Sequence, residues 1–102
     1  MLDATRKALE FTRGRTRPDL DEDEMFALAV VRLLEIIGEA AKYVSGPVRS
    51  LAPAIPWRQI AGTRDRLTHG YFDVNLDIVW SILTQDLPPL RVELEHLLGH
   101  ID

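Results

Sequence analysis

The run RDRLTHGY, residues 64–71, gathers the side chains best suited to chemistry in this 102-residue chain. His69 titrates near neutral pH, so it can take or give a proton. Arg64 stays charged and can stabilise the charge that develops on a phosphorane. Together they suffice for one reaction without a metal. A ribose 2′-hydroxyl attacks the adjacent RNA phosphate while the imidazole acts as base or acid. Asp65, one turn before His69, shares its helix face and can orient the ring or raise its pKa. Arg64 and His69, five residues apart, point about 140° away from each other on an ideal helix. Their pairing needs the helix to stop at Gly70 and release the imidazole, or two copies to bring Arg and His together across a dimer axis. A purely structural reading also fits. Arg64, Asp65 and Arg66 are then a solvated face, His69 a helix-end residue favoured by the dipole, Gly70 a C-cap, and Tyr71 and Phe72 core.

Other chemistries find less support. The chain has no cysteine, which removes disulfides and thiolate metal sites. His96 and His100 share a helix face at a spacing that can bind zinc, but no glutamate follows His96 as in HExxH. We expect no metal site and no cofactor. Ser45, Ser50 and Ser81 form no evident serine–histidine–acid set, and no glycine-rich phosphate loop is present.

Composition is that of an ordinary globular protein, with 46% hydrophobic and 27% charged residues. The length predicts a single domain over residues 1–102. No apolar run approaches the ~20 residues that cross a bilayer, and the first residues lack an apolar signal-peptide core. The expectation is a soluble cytoplasmic protein. A net charge of −4 argues against a broadly basic nucleic-acid coat. The charge is uneven, however. Residues 1–17 hold five bases against Asp3 and Glu10, residues 49–71 hold four arginines against Asp65, and residues 19–24 carry five acids and no base. A polyanion can dock on a local basic surface.

Hydrophobic periodicity is helical almost throughout, and nothing alternates like a strand. A first helix is predicted over residues 2–13, with Leu2, Leu9 and Phe11 apolar and Gly14 as its stop. Pro18 blocks its continuation. Asp21 and Glu24 have capping-box spacing for a long second helix running to Gly46–Pro47. The apolar surface of that helix is broader than one core-facing stripe, so it is central or also faces a second subunit. Gly38 inside it costs about 1 kcal/mol against alanine, which a close helix crossing would explain. After a short VRSL helix, Pro56 opens a long helix over residues 57–69, burying Trp57, Ile60, Ala61 and Leu67. Asn75 or Asp73 caps the next, with Ile78, Val79, Ile82 and Leu83 inward. Pro88–Pro89 kinks or restarts it, and Leu90, Leu94, Leu97 and Leu98 share the last apolar side.

The run IPWRQIAGTRDRLTHGYFDVNLDIVW, with LLEIIGEAAKYVS upstream and DLPPL downstream, resembles the core of the HepT-like toxins of the HEPN superfamily. Their signature is arginine, four residues, histidine, any residue, tyrosine. Here it is Arg64, DRLT, His69, Gly70, Tyr71. The resemblance implies an all-α, four- to five-helix HEPN-like bundle that forms a homodimer with both motif copies around one cleft. It implies a metal-independent endoribonuclease toxin acting on RNA, with Arg64 and His69 as the catalytic pair and Asp65 in support. It further implies a partner, a minimal nucleotidyltransferase antitoxin that transfers AMP onto Tyr71. An anionic adduct two residues from His69 would block RNA and repel its phosphates. Judged on position alone, Tyr71 is a core or interface aromatic. A second functional reading makes the chain a non-catalytic accessory subunit that presents substrate to the nucleotidyltransferase.

Overall fold

The computed structural model describes residues 1–67 and 74–101, with side chains as far as Gly99. The architecture is all-α. Helix α1 spans Leu2–Thr12, α2 Asp19–Glu22, α3 Glu24–Lys42, α4 Gly46–Leu51, α5 Trp57–Ala61, α6 Thr63–Leu67 and α7 Leu76–Ser81. A π-helical turn, Ile82–Asp86, then joins α7 to the last helix, α8, Leu87–Ile101. The long rods are α1, α3 and the continuous α7–π–α8 unit, and the paired short helices α5 and α6 make a fourth. The expected four- to five-helix bundle is therefore present, with α2 and α4 as short additions. Among the described residues, no helix is long and apolar enough to cross a membrane.

Helix α3 is the central rod, packing against α1, α2, α5 and α6. Phe26, Val30, Leu34, Ile37 and Ala41 recur on its buried side at helical spacing. Its start differs from the expected one. The cap is Asp23, whose carboxylate accepts the Phe26 N–H at 3.1 Å. Asp21 instead lies inside the short helix α2, where Arg17 Nη1 donates to it at 2.9 Å. At the other end α3 stops at Lys42, before Gly46–Pro47, and Ser45 caps α4.

Helix α1 ends before Gly14, whose φ of 74° is the left-handed conformation glycine adopts most readily. Its buried side is made of Ala4, Thr5 and Ala8, whereas Phe11 is exposed and Leu2 and Leu9 only half-buried. Small residues win because α1 packs directly on α3. The predicted helix over residues 57–69 is broken at Gly62. There the Thr63 hydroxyl donates back to the Ile60 carbonyl at 2.6 Å, and Thr63 is buried against α3. Trp57 and Leu67 are buried as expected, and Ile60 and Ala61 are half-buried.

Asn75 is the cap of α7, accepting from the N–H groups of Asp77 and Ile78. The Pro88–Pro89 pair neither ends the chain's last rod nor restarts it. Prolines at these positions offer no N–H to the preceding turn, and their rings would crowd the carbonyls four residues back. The backbone widens to π geometry just before them, with the Leu87 N–H donating to the Ile82 carbonyl. Leu90, Leu94 and Leu97 then enter the core. Ile78 is half-buried, and Leu98 faces solvent because the core-facing side of α8 passes through Leu94 and Leu97.

Candidate active site

Arg64 and Asp65 lie on α6, both exposed. Three contacts fix this short helix in place. The first is the crossing of α3 at Gly38. A Cβ built there would meet the Ile60 carbonyl oxygen at 2.9 Å and Thr63 Cβ at 3.1 Å. Only glycine allows α3 to approach the α5–α6 junction so closely, which accounts for a glycine inside an apolar helix. The second is Arg66, whose Nη2 lies 3.5 Å from Asp86 on the π turn. In the third, the Asn75 N–H donates to the Leu67 carbonyl at 2.7 Å and so ties the chain on either side of residues 68–73.

Helix α5 is anchored in turn. Arg49 donates from Nη2 to the Ala41 carbonyl at 2.7 Å and from Nε to the Val44 carbonyl at 3.1 Å, capping the C-terminal end of α3. Its guanidinium also sits 5.9 Å from the centre of the Trp57 ring, and the Trp57 indole N–H donates to the Ala52 carbonyl. A string of contacts thus runs from the end of α3 through Arg49 and Trp57 into α5 and α6. Arg49, counted by sequence among the bases open to a polyanion, is a structural residue.

Between α3 and α5–α6 runs a groove of about 300 Å³. Arg64 and Ala61 line one side, and Arg32, Glu35, Gly38, Glu39 and Lys42 line the other. Arg32 lies 3.9 Å from Glu35, and Lys42 lies 3.4 Å from Glu39. Sequence reasoning missed these four α3 residues. The signal was present as charges at 32, 35, 39 and 42, spaced to share one side of an otherwise apolar helix. Their bearing on the site depends on the crossing at Gly38, which no local pattern specifies. Arg66, two residues after Arg64, points to the opposite side of α6. It borders a separate cavity of about 170 Å³ with Leu34, Ile37, Ile82 and Leu87.

The basic N-terminal stretch is largely neutralised within the fold. Arg15 pairs with Asp23, Arg17 with both Asp21 and Asp77, Arg13 with Glu10 and Arg6 with Glu95. The hydrogen bond to Asp77 is the main cause that raises the Arg17 pKa. His69 and Tyr71 lie outside the described residues, as do Gly70 and Phe72. His96 is exposed on α8, and the side chain of His100 is outside the described set.

An all-helical bundle with a groove lined by Arg64 of the R-x4-H-x-Y motif points to the class, and comparison with known proteins agrees. The family model described as ribonuclease HepT-like matches residues 1–97. The chain belongs to this family of the HEPN superfamily. It is 42% identical over 88 residues to a protein of Thermococcus cleftensis named as a probable ribonuclease HepT, covering 86% of this chain and 80% of the relative. It is 34% identical over 95 residues to a Methanocaldococcus jannaschii protein that carries a provisional RNase name, covering 93% and 87%. A Caldanaerobacter subterraneus protein with a similar provisional name is 38% identical over 90 residues, covering 88% and 80%. No solved structure matches the chain. By this membership the chain is a ribonuclease.

Proposed function

We propose that this chain is a single-domain, metal-independent endoribonuclease, the toxin of a toxin–antitoxin pair, and that Arg64 and His69 are its catalytic residues. The observation that carries the reading is the groove at Gly38, which presents Arg64 among further cations directly before the segment that holds His69. In the proposed reaction the 2′-oxygen forms a bond to phosphorus and the bond to the 5′-oxygen breaks. The product is a 2′,3′-cyclic phosphate and a free 5′-hydroxyl. The imidazole of His69 takes the 2′-hydroxyl proton or supplies one to the leaving oxygen, and Arg64 stabilises the phosphorane. Asp65, four residues earlier in the sequence, supports His69.

Silencing is proposed to occur at Tyr71. Its phenol oxygen attacks the α-phosphate of ATP on a nucleotidyltransferase antitoxin, pyrophosphate leaves, and the AMP ester occupies the RNA path. Two copies of the chain assemble in this reading. Met25, Leu28, Ile36 and Tyr43 form an exposed apolar stripe along α3, beside the groove-lining Arg32 and Glu39. Joining two such stripes would set the two grooves side by side, and each His69 could serve either Arg64.

The test is cleavage of mixed cellular RNA by purified protein with an unmodified Tyr71, in excess EDTA, beside a folded His69→Ala variant. The expected outcome is cleavage by the parent alone, with Arg64→Ala as inactive as His69→Ala. Equal cleavage by the parent and His69→Ala would reject His69 as catalytic. Absence of cleavage from both would favour the non-catalytic accessory subunit.

A further inference from the structure

We propose that Arg32 and Lys42 bind the RNA phosphates on either side of the one held by Arg64, and that Glu35 and Glu39 are counter-ions the RNA displaces. The assignment rests on the ribonuclease reading above and extends it to the path of the substrate.

The argument begins with where α3 keeps its charges. After Glu24 in the first turn, the helix has four charged residues, Arg32, Glu35, Glu39 and Lys42, and all four line the groove facing Arg64. They share the exposed surface of the helix with Met25, 82% exposed, and Leu28, 63% exposed, so its charges are not spread over every open position but gathered beside Arg64.

Separation fits as well. Arg32 and Lys42 are ten residues apart, about 15 Å along the helix axis. Gly38 and the crossing lie between them, so Arg64 faces the middle of the run. A single strand laid along the groove would meet one cation before Arg64 and one after it. The two acid–base pairs are weak restraints. Their distances are 3.9 and 3.4 Å, and the Arg32 and Lys42 side chains are more than half exposed. Surface pairs of this kind contribute little, so a polyanion that engages several cations at once and releases their counter-ions can displace them. A polyanion that engages all three cations displaces both pairs together. Several other bases have structural partners, with Arg49 on helix carbonyls and Arg66 beside Asp86.

The experiment measures binding of a labelled single-stranded RNA by anisotropy across a salt series, in a His69→Ala background so that nothing is cut. Each single-strand phosphate contact contributes about 0.7 to the slope of log affinity against log salt. Arg32→Gln and Lys42→Gln should each flatten the slope by about that amount and weaken binding several-fold at low salt. Glu35→Gln and Glu39→Gln should tighten it. Arg91→Gln, on α8 away from the groove, should change neither quantity. In the cleaving protein, Arg32→Gln should raise KM while kcat stays near the parent value. RNA binding whose slope is unchanged by both cation substitutions, in variants with parental helicity, would overturn this assignment and leave the ribonuclease reading standing. A parent that neither binds nor cuts RNA would remove both.

Discussion

Asp23 carries two duties at a single carboxylate. It accepts the Phe26 N–H that opens α3 and a hydrogen bond from Arg15 Nη1 at 3.0 Å. The backbone hydrogen bond first, and Arg15 after it, hold this carboxyl below its ordinary pKa. A carboxyl whose pKa is lowered by folding stabilises the fold above its unfolded value, about 3.9. That contribution is lost as pH falls through the lower, folded value. Asp23→Asn keeps a capping oxygen but cannot titrate. Its melting temperature should therefore change less than the parent's as pH falls below about 4. Asp23→Ala should melt lower at neutral pH too, since it loses the cap. Calorimetry across a pH series checks both, and a parental acid limb in the Asn variant would count against the assignment. The sequence pointed to an acidic cap two residues early, at Asp21. It could not show that Pro18 starts a separate turn, α2, which absorbs Asp21 and passes the capping role to Asp23.

At the scale of elements, the contact that sets the site is α3 against the α5–α6 junction. Alanine at position 38 would gain about 1 kcal/mol of helix propensity. It would also force a methyl group to within 2.9 Å of a backbone oxygen, which cannot rotate aside as a side chain can. Overpacking of that kind costs about 1–3 kcal/mol. Gly38→Ala should therefore be mildly destabilised, and it should lose RNA cleavage well beyond what its folded fraction explains, because α6 must shift. Urea unfolding and cleavage measured on the same preparation would decide this. Full activity in the variant would mean that the crossing does not set the geometry of Arg64. The helices themselves were largely legible, because their apolar spacing and caps are local signals. The break at Gly62 was not, since it depends on Thr63 meeting α3. The π turn was only half legible. The two prolines announced a disturbance, but not the one-residue widening that leaves Leu83, Leu87 and Leu90 all buried.

For the whole molecule, the proposed pairing of two copies rests on the outer side of α3. Tyr43 is 79% exposed, and with Met25, Leu28 and Ile36 it makes a long apolar strip beside a charged groove. The breadth of that apolar surface was readable in the sequence, and so was its ambiguity between core and interface. The central half of that reading holds, since α3 packs against α1, α2, α5 and α6, while its open side mixes these apolar residues with Arg32 and Glu39. Leu28→Arg alters an exposed position, so it should cost the folded chain little. Light scattering should give twice 11.6 kDa for the parent and 11.6 kDa for the variant, with RNA cleavage lost alongside dimerisation. A parent that stays at 11.6 kDa would reject the paired arrangement. The candidate site was legible to a different degree. Arg64 followed from its motif, whereas Arg32 and Lys42 acquire meaning only once two distant helices cross.

The π turn has a consequence for how the protein opens. Pro88 and Pro89 contribute no amide protons, and the ladder before them is already displaced by one residue. Cooperative opening propagates poorly across such an interruption. The rod from Leu76 to Ile101 should therefore exchange its amide protons with solvent as two blocks. Its far block, docked on α1, can loosen on warming while the near block, tied to α6 through Asp86 and Arg66, stays closed. The end of the chain can breathe without disturbing the groove.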